Sequence, residues 1–119
     1  MSVPVEPVYL VIRDAALRSS LTAWLGLSGH SIVALQDLAT LVGSRPSPTA
    51  LFVIDSDLLP EDRANWPGVI GPTLPCARCI ILVAGETGLY GRLVLADRSA
   101  ALPLIQSTIA RIESGQPSG

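Results

Sequence analysis

The sequence predicts an α/β domain, a doubly wound five-stranded parallel sheet in strand order 2-1-3-4-5 with helices on both faces. Three observations carry this expectation. Apolar runs from Val8 to Ile12, Ala50 to Ile54 and Cys79 to Ala84 have the unbroken, β-rich character of strands buried on both faces. Segments of helical period alternate with them, notably Leu17, Leu21, Trp24 and Leu25, and later Leu102, Ile105, Ile109 and Ile112. Strands alternating with helices at this spacing imply right-handed crossovers and a parallel sheet.

In order, Val8 to Ile12 is the first strand, ended by Arg13 and Asp14. Asp14 is placed to cap the following helix and Gly29 to stop it. Ser31 to Leu35 reads as a second strand, and Asp37 to Val42 as a second helix with Asp37 near its N-cap. Ser44 to Pro48 is a loop, because two prolines cannot continue the helix. The third strand ends at Asp55, with Asp57 and Pro60 close behind. Glu61 to Ile70 has room for a short third helix, but Pro67-Gly68 breaks it and Gly71-Pro72 closes it. Cys79 to Ala84 is the fourth strand, Gly85 to Gly91 a plain connection, Arg92 to Ala96 the fifth strand, and Ser99 to Ile112 the last helix. Pro103 is tolerable in that helix's first turn. Trp24 fits the core stripe of the first helix, whereas Trp66, among prolines and glycines, is expected to be exposed.

Composition narrows the function. At 119 residues the chain is one domain, 1–119, with residues 1–7 and 114–119 reading as flexible tails. It is 49% hydrophobic and only 15% charged, an apolar balance that leaves surface for a partner. The net charge is −2 and every basic residue is Arg, scattered singly, so no patch recommends nucleic acid. No apolar run approaches the roughly 20 residues of a membrane span, and the N-terminus has no signal-peptide pattern. A cytoplasmic protein without nucleic-acid or membrane partners is expected.

The segment Val8 to Gly29, a strand running into Arg13-Asp14 and then an Arg-x-x-Leu helix, resembles the opening of a response-regulator receiver domain of the FixJ type, CheY-like in fold. The likeness continues through Ala50 to Asp55 with its trailing Leu-Leu-Pro60, and returns at Ile80 to Gly85 and Leu95 to Ile112. It implies a flavodoxin-like sheet and a role in two-component signal transduction. A receiver keeps two carboxylates after its first strand which, with a phospho-acceptor Asp, hold a Mg²⁺ against the transferring phosphoryl group. The resemblance places the acceptor at Asp55, with Ser56 and Asp57 as rival alignments.

The departures shape the expectation more than the matches. The metal-binding pair falls on Ile12 and Arg13, leaving only Asp14 acidic nearby. The hydroxyl residue after the fourth strand is Ala84, the Lys after the fifth is Arg98, and the aromatic switch position is Leu95. Between Ala84 and Arg98 there is too little chain for both a strand and a helix of the usual ~11–12 residues, so the fourth helix of the receiver fold is expected to be missing or reduced. Asp55 is therefore expected to be a vestigial phospho-acceptor in a pocket formed by Asp14, Asp57, Arg13, Ala84 and Arg98. Arg13 in particular is expected to pair with Asp55 or Asp57 in place of the metal.

Other motifs carry less. Cys76-Ala-Arg-Cys79 runs into a strand rather than opening a helix, as a redox pair would, and reads as two reduced thiols. Gly85 to Gly91 lacks the Lys and helix of a phosphate loop. A single His, His30, rules out a Ser/His/Asp or Cys/His nucleophile.

The expected function is a stand-alone atypical receiver, not an enzyme and without a cofactor. It would act by protein–protein interaction with a signalling partner, such as a histidine kinase or a response regulator, and as a homodimer. A phosphorelay receiver still phosphorylated at Asp55 with Mg²⁺ is the alternative, and a small-molecule binding domain a distant third.

Overall fold

In the computed structural model, which describes residues 8–43, 51–73, 79–90 and 93–113, strand β1 (Val8–Val11) lies between β2 (Ile32–Leu35) and β3 (Leu51–Asp55), parallel to both. Strand β4 (Cys79–Val83) adds in parallel to β3, and β6 (Leu93–Asp97) adds in parallel to β4. These five strands have the expected order. A sixth strand, β5 (Gly88–Tyr90), lies antiparallel on the outer side of β6 and gives the complete order β2-β1-β3-β4-β6-β5. The segment expected to be a plain connection thus carries an edge strand, and among the described residues no helix lies between the fourth and fifth parallel strands. Two residues of the sequence separate β5 from β6.

Alternation along the strands divides the core into two layers. Tyr9, Val11, Phe52, Ile54, Ile81, Val83, Leu93 and Leu95 face α2 (Leu38–Gly43) and α3 (Trp66–Thr73), which contribute Leu41, Trp66 and Ile70. Val8, Leu10, Leu51, Val53, Ile80, Leu82 and Ala96 face α1 (Ala15–Leu27) and α4 (Ala101–Glu113), which contribute Leu21, Leu25, Ala101, Ile105 and Ile109. Tyr9 and Phe52 stack with ring centroids 5.3 Å apart.

Helix boundaries follow from local chemistry. The Asp14 carboxylate caps α1, accepting from the Ala16 N–H at 2.9 Å and the Leu17 N–H at 3.3 Å. The helix stops at Ser28, and Gly29 follows with φ 87°, a left-handed backbone that glycine adopts at no steric cost. Asp37 accepts from both the backbone N–H and the hydroxyl of Thr40 at 2.7 Å, just ahead of α2.

Three expectations are corrected. Pro67-Gly68 does not break α3, because Pro67 lies in its first turn, where a missing N–H costs nothing. Trp66 is buried at 3% exposure, its indole N–H donating to the Pro60 carbonyl at 2.7 Å. Trp24, assigned to the core stripe, is 57% exposed, because Leu21 and Leu25 already fill the narrow strip of α1 that meets the sheet. The expected tails, the Ser44 to Pro48 loop and Cys76 lie outside the described residues. Cys79 opens β4 as a buried residue.

The two tryptophans offer a direct check. Trp66→Ala is expected to cost roughly 3–5 kcal/mol by chemical denaturation, the range for emptying a buried aromatic site. Trp24→Ala is expected to stay within about 0.5 kcal/mol, as surface changes do. Equal losses would contradict the burial described.

Candidate functional site

The carboxyl ends of β3, β4 and β6 meet around Asp55, the one buried charged residue among those described, with 1% of its surface exposed. The apolar register of β3 delivers it there: Asp55 is level with Leu82, which is level with Ala96. Arg98, two residues beyond Ala96, belongs to a 3-10 turn (Arg98–Ala100) between β6 and α4. Its strand is two positions from β3, roughly 10 Å away at the usual strand spacing. Its side chain nevertheless reaches back across the end of β4 to grip Asp55.

The grip is a fork. Arg98 Nε donates to Asp55 Oδ2 at 2.9 Å and Nη2 to Oδ1 at 2.7 Å. Nη2 also donates to Ser56 Oγ at 3.0 Å and to Asp57 Oδ1 at 3.3 Å. The Asp57 N–H donates to Asp55 Oδ1 at 2.9 Å, which caps the start of the short 3-10 turn Ser56–Leu58 after β3. Both Asp55 oxygens are thereby engaged. Hydrogen bonding to Asp55 raises the Arg98 guanidinium above its ordinary value. Arginine rather than lysine suits this place, because a planar fork can hold two carboxylate oxygens at once.

The other predicted residues are distributed differently. Arg13 is exposed, and among the described residues it makes no ion pair with Asp55 or Asp57. The guanidinium expected from Arg13 therefore comes from Arg98. Asp14 is turned to its helix cap and joins no group with Asp55. Ala84 is exposed just past the end of β4, and Leu95 is buried in the α3-side core. Ile12 is wholly buried against the other layer.

The donor set does not fit a divalent cation. Ile12 presents an apolar side chain, Asp14 is committed to backbone N–H groups, and the Asp55 carboxylate is bonded on both oxygens and closed to solvent. No cluster of three or more His, Cys, Asp or Glu among the described residues could hold a metal.

Sequence reasoning missed a second group of polar residues beside this site. Asp97, the last residue of β6, accepts from the Gly85 N–H at 3.2 Å, the Ser99 hydroxyl at 2.9 Å and the Ser99 N–H at 3.4 Å. The Ser99 hydroxyl, then the Gly85 and Ser99 N–H groups, hold its carboxyl below the usual value. Arg63, in the 3-10 turn Arg63–Asn65, forms a bidentate pair with Glu86, with Nη1 2.8 Å from Oε1. That pair likewise lowers the Glu86 carboxyl. The Asp97-Arg98-Ser99 spacing is a turn-cap signal; nothing in sequence links Arg63 to Glu86.

The arrangement of strands and helices is similar to that of response-regulator receiver domains. No family model matches the sequence, and no curated protein matches it. Two solved structures share the fold. The response regulator StyR superposes with a TM-score of 0.66 at 13% identity, over 89% of this chain and 58% of its own. A response regulator receiver domain protein from Bacillus halodurans C-125 superposes with a TM-score of 0.68 at 14% identity, over 97% of this chain and all of its own. The chain thus spans a little over half the length of StyR and the whole length of the second protein.

Two outcomes check the site. Arg98→Ala is expected to destabilise the fold by roughly 3 kcal/mol, since it strands a buried carboxylate, while Asp55→Leu with Arg98→Met recovers most of that loss. A double variant as unstable as Arg98→Ala would contradict the pairing. The lowered carboxyls of Asp97 and Glu86 give stability that is present in full above their ordinary values of 3.8 and 4.5 and is lost as pH falls through the lower folded values. A urea midpoint that is level near neutral pH and falls below about pH 4.5 is expected, with a shallower fall in Asp97→Asn.

Proposed function

We propose that the chain is an atypical receiver module in signal transduction that works by binding protein partners rather than by metal-assisted phosphoryl transfer. The fold shared with two receiver domains supports the signalling role. The observation that carries the departure from phosphoryl transfer is the Asp55–Arg98 fork. A carboxylate bonded on both oxygens and 1% exposed is a poor nucleophile toward a phosphodonor, and the residues that would hold Mg²⁺ are replaced. The module is accordingly not an enzyme and needs no cofactor.

Its partners are proteins of a signalling pathway, such as a histidine kinase or a response regulator, and a second copy of itself. The edge strand β5, which among the described residues pairs on one side only, supports self-association. Gly88, Leu89 and Tyr90 carry no charge along that strand, and Leu89 is 76% exposed. Among the described residues no helix is long and apolar enough to cross a membrane.

Titration with Mg²⁺, with and without beryllofluoride, followed by amide NMR tests the first part. No shift around Asp55 is expected; saturable shifts there, together with acid-labile labelling by a small phosphodonor that Asp55→Asn abolishes, would establish the phosphorelay alternative instead. Light scattering tests the second: a concentration-dependent dimer that Leu89→Asp weakens is expected, and a strict monomer at high concentration would exclude self-association.

A further inference from the structure

We draw no further inference here: the strongest candidate, the apolar surface patch of Trp24 and Leu27 in the second half of α1, 57% and 82% exposed, carries nothing because nothing in the structure shows what covers it.

Discussion

A single buried carboxylate dictates how this end of the molecule is arranged. Asp55 terminates a strand that is apolar on both faces, and a charge in that position needs a partner or becomes strongly unfavourable. The partner must arrive from above the sheet, because the neighbouring strands supply only apolar side chains at that level. Arg98 meets the requirement from two strands away. Its reach crosses the end of β4, where Ala84 is small, and it brings with it the turn that starts α4. One ion pair therefore ties the middle of the sheet to its last helix.

Much of the fold could be read from sequence because its signals are local and redundant. Five apolar runs, a helix cap at Asp14 and a left-handed Gly29 each mark an element independently of the others. The parts that were misread depend on distant neighbours. β5 is three residues that begin with Gly88 and are followed by Gly91, with no β signal of its own; it is a strand because it pairs with the edge of β6. Trp66 is buried because Ile70 and the β-sheet core lie opposite it, and nothing local to Pro67-Gly68 shows that.

The site was partly legible for the same reason. The position of Asp55 follows from the strand that carries it. Which arginine answers it does not, since Arg13 is nearer the pocket in the sheet order but points to solvent, whereas Arg98 lies farther along and folds back. Alternation fixes the face a side chain leaves from; only the completed sheet fixes what it meets. The Arg63–Glu86 pair is a longer-range case still, joining segments on either side of β4.

The hairpin that stands in place of a helix also changes how the sheet can be assembled. Joining two parallel strands through a helix requires the chain to travel out and back before either strand gains a partner. Here β5 and β6 are sequence neighbours and pair antiparallel, so they can associate early and dock against β4 as a preformed ribbon. The final parallel strand then enters with its outer edge already occupied. In a chain assembled in that order β6 has its outer edge paired before it docks, and the edge left open is that of the three-residue β5.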